Sequence, residues 1–477
     1  MPVNTQVINQ RQLSWLVGSL LIGGGLLSIQ HDLVRIARMD TWFVYLLPTV
    51  YILFIAYVFT QLSMRLPGKH LFEINFILFG RWFGLLANMV LLIHLWFILL
   101  RDLRMLGKFI GTLLLPNTPE EMLVLLLVVM LMFYGRTSAE VISRVNDLFF
   151  PVFFALTLML PFLLSNEMNF HLLQPILTTP PKQLGYAGLL SIGWYGDIII
   201  VGAFLHMIWN SRQIHCALRH GSLMATALLS LFLLMEVAVL GPNIPGNLIY
   251  PDYSLVQHIQ ITDFLDRMDL LILSIWFPII VCKIIFIYLA FLIGITSLIR
   301  QRDYTLINSP VGLFLLLTTI LAFKSTPEVF SFGNYSSPVL VLSYQPVLLA
   351  AMLLLMRRFP KRSPEHHGEG SSSGKTQGHD RNGMSKGGNR HPGKQFGSRL
   401  GAISGRTWLR AGNVLLALGF VFVGAGLIFS RNYAFIGKLA GFGYAFVLAL
   451  LLFVTHMEMR KAKDLAARSS PNSAQTS

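Results

Sequence analysis

Ile22-Gly23-Gly24-Gly25-Leu26 and Ile192-Gly193-Trp194-Tyr195-Gly196-Asp197 interrupt the first and the sixth of a long series of apolar segments. In lipid every backbone polar group must be satisfied within the protein, so a helix that breaks at mid-membrane depth lines a protected cavity. A matched pair of breaks in two halves of a chain marks a transporter-type binding site built on an inverted repeat. Glycines also let transmembrane helices pack closely, and for one cluster alone that plainer reading is the better one. The pairing, five segments apart, turns the reading toward a site.

Composition agrees with a membrane setting. Of 477 residues, 54% are hydrophobic and 12% charged, far too apolar for a soluble chain of this length. The first apolar run, Leu13 to Ile29, ends in Gln30-His31-Asp32 with no small-residue cleavage site, and reads as a retained span. Cys216 and Cys282 are too few for a disulfide framework and read as free thiols. The formal charge of +15 does not indicate nucleic acid, because the basic residues fall mainly in loops between spans.

With roughly 20 residues needed to cross a bilayer, twelve spans are expected near 13–30, 41–63, 84–106, 119–135, 145–164, 184–208, 221–241, 269–297, 309–323, 337–356, 412–429 and 434–456. The fourth and ninth are short, but Thr118-Pro119 and Ser309-Pro310 supply helix-start signals. Placing the N-terminus inside puts 26 Lys and Arg residues on the cytoplasmic side and 10 outside, the orientation that the positive-inside rule favours. The chain therefore divides into a ten-span core, 1–357, a basic linker, 358–406, a two-helix hairpin, 407–460, and a polar tail, 461–477. The linker is dense in Gly, Ser, Lys, Arg and His and reads as disordered. Its Gly370-Ser371-Ser372-Ser373-Gly374 lacks the strand-to-helix turn that a nucleophile elbow needs, and His366, His367, His379 and His391 lack metal-site spacing.

Breaks in spans 1 and 6 leave backbone groups free at one depth. A half-helix N-terminus suits a carboxylate and free carbonyls suit an ammonium group, a combination that fits a zwitterionic amino acid. The candidate ligand-binding residues are Gly23, Gly24, Gly25, Ser191, Gly193, Tyr195, Gly196 and Asp197. Lys283, midway along span 8, is a buried charge, which marks a functional site by default; its ammonium is a candidate substitute for a metal cation near the contact of spans 1 and 8. Glu236, His94 and His206 read first as structural, Arg101-Asp102 as a local or interfacial pair, and Pro151, Pro278 and Pro346 as kinks. No metal, cofactor or catalytic motif is present in the sequence, and an enzyme is not expected.

Several stretches together resemble the B-subunit family of bacterial spore germinant receptors. They are Gly23-Gly24-Gly25-Leu26-Leu27 leading to Asp40-Thr41-Trp42, Leu99-Leu100-Arg101-Asp102, and Leu115-Pro116-Asn117-Thr118-Pro119. To these add Arg136 to Arg144 running into Leu148-Phe149-Phe150-Pro151, and Phe264-Leu265-Asp266-Arg267 with Ile275-Trp276 and Lys283. The likeness covers roughly residues 8–356. It implies the amino acid–polyamine–organocation transporter superfamily, hence an all-α polytopic membrane protein with a five-plus-five inverted-repeat fold, broken in spans 1 and 6. It also implies a nutrient-sensing subunit of the spore inner membrane that works with an A-type membrane subunit and a C-type lipoprotein. Asp197 stands where that family often has Glu, and the C-terminal hairpin exceeds the family's ten spans. The alternative function is an amino acid permease working by alternating access.

Overall fold

The computed structural model describes residues 8–208, 210–259, 268–301, 303–360 and 405–468. The basic linker, the four linker histidines, the polar tail beyond 468 and Phe264-Leu265-Asp266-Arg267 lie outside the described residues wholly or nearly so.

The described residues form helices α1 (Gln10–Ser28), α2 (Gln30–Ala37), α3 (Leu46–Arg65), α4 (Leu71–Leu113), α5 (Glu120–Tyr134), α6 (Ala139–Leu163), α7 (Pro181–Tyr195), α8 (Ser211–Leu240), α9 (Pro251–Gln257), α10 (Met268–Ile299), α11 (Thr305–Ala322), α12 (Thr326–Ser331), α13 (Ser337–Leu355), α14 (Gly405–Phe429) and α15 (Ala434–Arg468), the long ones apolar over most of their length and α2, α9 and α12 short and mixed in character. Among the described residues, ten helical segments are long and apolar enough to cross a membrane. The bent pair α1–α2 makes an eleventh. With the fifteen residues of α5, each of the twelve expected spans has a helix.

Several boundaries differ from the expectation; span 3, expected from 84, starts at Leu71 and passes a kink at Gly80, span 7 starts at Ser211, and span 12 runs on to Arg468. Span 9 starts at Thr305, ahead of Ser309-Pro310, where the Asp303 carboxylate accepts the Thr305 N–H at 2.9 Å and its hydroxyl at 2.7 Å. Span 10 starts at Thr326 and runs through a wider π-helical turn at Phe332–Ser336 before α13; its polar Asn334 and Tyr335 hid that half from an apolar count.

Both central spans are interrupted, by different means. Span 1 bends by 68° where α1 gives way to α2 at Ile29. Gly23–Gly25 themselves remain helical, so the break falls after the glycines instead of within them. Span 6 is α-helical to Tyr195 and continues from Gly196 to Met207 as a tighter 3-10 helix, a form seldom sustained for more than a few residues.

Burial separates an inner set of spans from an outer one. Span 6 has 94% of its apolar window buried, α10 89% and α8 78%, against 28% for α6 and 22% each for α11 and α14. Helices hydrophobic all round are stable only when protein or lipid covers them, so the second group is the lipid-facing wall. The C-terminal α15 packs on α8 and on α14.

Candidate functional site

Four charges from three spans meet in the interior. Arg101 and Asp102 are adjacent on α4, Asp197 follows the break of span 6, and Lys283 comes from α10; none is more than 3% exposed. Arg101 Nη2 donates to Asp197 Oδ2 at 2.6 Å and its Nε to Asp102 Oδ1 at 2.8 Å. Lys283 Nζ lies 2.8 Å from Asp102 Oδ2 and 3.1 Å from Asp197 Oδ2. The lattice is neutral, which is the condition for burying charge without a large desolvation penalty. Trp194 closes one side, with the Arg101 guanidinium 3.8 Å from its ring centre.

Gly24 brings span 1 to this lattice. A β-carbon there would stand 2.4 Å from Trp194 and 2.5 Å from Lys283 Nζ, so only a bare α-carbon permits the approach. Gly23 faces Ile280 and the Lys283 stem, and Gly25 faces Leu229 and the Tyr45 hydroxyl. Tyr195 stacks on Tyr45 with ring centres 5.6 Å apart and shares a 3.1 Å hydrogen bond with Thr226.

On span 6 the remaining candidates point elsewhere. Gly193 and Gly196 let α13 approach: their β-carbons would strike Pro338 and Val341. Ser191 is buried and donates to the Ala187 carbonyl of its own helix at 3.1 Å. The structure thus brings Gly24, Asp197 and Lys283 together with Trp194, Arg101 and Asp102, and places Gly25 with Tyr195 beside them.

Both breaks are served by amides of span 10. Asn334 Nδ2 donates to the Ser28 carbonyl at 3.3 Å and its Oδ1 accepts from Ser28 Oγ at 2.7 Å and from Trp194 Nε1 at 3.2 Å. Gln345 Nε2 donates to the Gly196 carbonyl at 3.2 Å, while Tyr51 donates to Gln345 Oε1 at 2.7 Å. Buried backbone at a helix break must find partners inside the protein, and these two side chains supply them. Asp32, just past the bend, accepts from Asn334 Nδ2 at 2.8 Å and from the Tyr335 hydroxyl at 2.9 Å.

Arg101 and Asp102 are the members that sequence reasoning misplaced. Two adjacent opposite charges read as a local pair, and they do pair, but each also reaches a partner on a distant span. Their sequence signals are their position within a long, mainly apolar helix and their place in the Leu99-Leu100-Arg101-Asp102 stretch that carries the family likeness. A cavity of about 210 Å³ opens beside α2, lined by His31, Arg35, Gly246, Thr326 and Phe330 among others. Asp197 Oδ1, fully buried, has no hydrogen-bond partner among the described residues.

Comparison with known proteins fits this geometry. The family model described as spore germination protein matches residues 7–326. The putative spore germination protein YfkT of Bacillus subtilis (strain 168) is 26% identical over 310 residues, covering 63% of this chain and 83% of that protein. Spore germination protein B2 of the same organism is 24% identical over 55% of this chain and 71% of its own length. Spore germination protein KB, also of that organism, is 21% identical over 75% and 96%. Among solved structures, that of Mhp1, a nucleobase-cation-symport-1 family transporter in a closed conformation with bromovinylhydantoin bound, superposes with a TM-score of 0.53. It is 12% identical and covers 95% of this chain and 96% of that one. The fold is the inverted-repeat transporter fold with spans 1 and 6 broken, and the chain is an integral membrane protein.

Proposed function

Because the chain belongs to the spore germination protein family, we propose that it is the membrane subunit of a nutrient receptor. It binds an amino acid or similar small nutrient where its two broken spans meet, and signals germination through a change in conformational population. The observation that carries the reading is the Gly24–Trp194–Asp197 centre, where Asp197 Oδ1 is a buried acceptor without a donor and suits a ligand ammonium group. Gly23–Gly25 and Tyr195 form the surrounding wall, Gly193 and Gly196 seat span 6 against α13, and Ser191 lies one turn before the break of span 6.

Lys283 stands as a built-in cation between Asp102 and Asp197, so ligand binding does not require sodium. A-type and C-type receptor subunits are the partners, and the setting is the inner membrane of the spore with both termini on the cytoplasmic or core side. Cysteine introduced at Ser372 or Ser470 should resist membrane-impermeant labelling of sealed cells, and labelling from outside would refute that orientation.

The deciding experiment is a thermal-shift screen of the purified chain with a panel of amino acids, in the presence and absence of sodium, paired with uptake in liposomes. Stabilisation by one class of amino acid, independent of sodium and without accumulation inside the vesicles, supports the receptor. Accumulation by the chain alone would make it the permease that its transporter fold also accommodates. No stabilisation by any nutrient, with Asp197→Asn behaving as wild type, would refute the site.

A further inference from the structure

Glu236 and Asp252 meet away from the Asp197 centre. Glu236 lies in the last two turns of α8, and Asp252 is the second residue of α9; the chain between them reverses through Gly241, whose φ of 81° suits glycine. The two side chains are buried, with 0% and 1% exposure, on helices that pack against each other, and each carboxyl is the other's electrostatic neighbour. None of their four oxygens has a partner in any other described residue. The Tyr45 hydroxyl is buried and unpartnered too, and its electrostatic neighbours are Tyr195, Asp252 and Glu236.

The charged groups on the elements packed around the pair are committed elsewhere. On α2, Asp32 is held by Asn334 and Tyr335, His31 lies 3.4 Å from Asp32, and Arg35 reaches the Gly246 carbonyl. Asp40 accepts the backbone N–H groups of Leu177 and Thr179. On α10, Lys283 belongs to the four-charge lattice, and on α15, Glu458 pairs with Arg219. Among the described residues no cation is paired with either carboxyl, and two ionised carboxylates side by side without one repel strongly in a dry interior.

We propose that Glu236 and Asp252 are a proton-binding site, in which one carboxyl keeps its proton and donates it to the other, holding α9 against α8. The proton comes from water and returns to it, and no bond between heavy atoms changes. Burial raises the titration of Asp252 well above the ordinary carboxylate range. The folded chain therefore holds a proton that the unfolded chain releases, and stability falls as pH rises from that ordinary range through the raised value. Loss of the proton sets like charges against each other and frees α9, the short helix that joins α8 to α10.

The test uses the purified full-length chain in detergent. Infrared spectra at about pH 6 should contain the carbonyl stretch of a protonated carboxylic acid that disappears by about pH 9, and thermal unfolding should shift down by several degrees over the same interval. In Glu236→Gln and in Asp252→Asn the amide donates to the remaining carboxylate, so the band should be lost and the pH dependence flattened. If a variant fails to fold, the wild-type band alone decides: its absence, or its persistence at high pH, overturns the proposal. A band that vanishes at about pH 6 on adding sodium or calcium would show a metal-cation site instead, and would also overturn it.

Discussion

Asn334 and Gln345, both on span 10, each hold the loose backbone of a different broken span: Asn334 the carbonyl of Ser28, Gln345 that of Gly196. One helix thus senses both halves of the repeat. Replacing Asn334 by leucine leaves the buried Ser28 carbonyl without its side-chain donor, at a cost of about 1–3 kcal/mol. The Gly196 carbonyl opens the 3-10 helix and keeps its backbone bond, so thermal unfolding should show the larger loss in Asn334→Leu and a smaller one in Gln345→Leu. Equal losses in the two variants would contradict this difference.

Gly24 is the most size-sensitive of the three successive glycines of span 1. A single methyl there meets Trp194 and Lys283 Nζ at 2.4 and 2.5 Å, whereas at Gly23 it meets Ile280 and the Lys283 stem at 3.4 Å. Gly24→Ala should abolish the nutrient response while the protein still inserts. Gly23→Ala should retain most of it. Equal effects at the two positions would separate the response from the Trp194 contact.

Lys283 balances two carboxylates. Lys283→Met leaves Asp102 and Asp197 with Arg101 alone, and breaking a buried ion pair by removing one partner costs about 3–5 kcal/mol. The variant should unfold at lower temperature and lose ligand-induced stabilisation. Adding Asp197→Asn to it should recover part of the loss, because the surplus negative charge is removed. A double variant no better than the single one would contradict charge balance as the cause.

Arg219 of α8 is almost fully buried and finds its carboxylate on the C-terminal hairpin, where Glu458 lies 3.3 Å away. Gly412 of α14 makes room for it, since a β-carbon there would stand 2.3 Å from Arg219 Nη2. Glu458→Gln should therefore destabilise by about 3–5 kcal/mol, and a double-mutant cycle with Arg219→Met should give a coupling energy on the order of 1 kcal/mol or more. Additive losses would show that the hairpin adheres by apolar contact alone.

Much of the architecture was legible because lipid imposes a single requirement, long apolar helices, that composition reveals segment by segment. The role of the glycines was legible only in part. Three glycines read as a break, yet a helix tolerates them, and here they shape a contact with Trp194 and Lys283 while the bend falls at Ile29. The lattice of Arg101 and Asp102 with Asp197 and Lys283 was not legible, because adjacency in sequence supplies a sufficient partner and conceals the distant ones. Asn334 and Gln345 carry no local mark either, since an amide in an apolar helix does not announce which carbonyl it will meet.

The neutral lattice is also completed in a fixed order during synthesis. Arg101 and Asp102 emerge together and cancel, then Asp197 adds one negative charge, and Lys283 follows 86 residues later. At about 5–20 residues per second, the growing chain carries that uncompensated carboxylate for roughly 4–17 s. Span 6 cannot settle into the interior as an ion until span 8 reaches it. The charge balance of the interior is thus settled by the last of the four residues to be made, and the docking of span 6 is tied to the arrival of span 8.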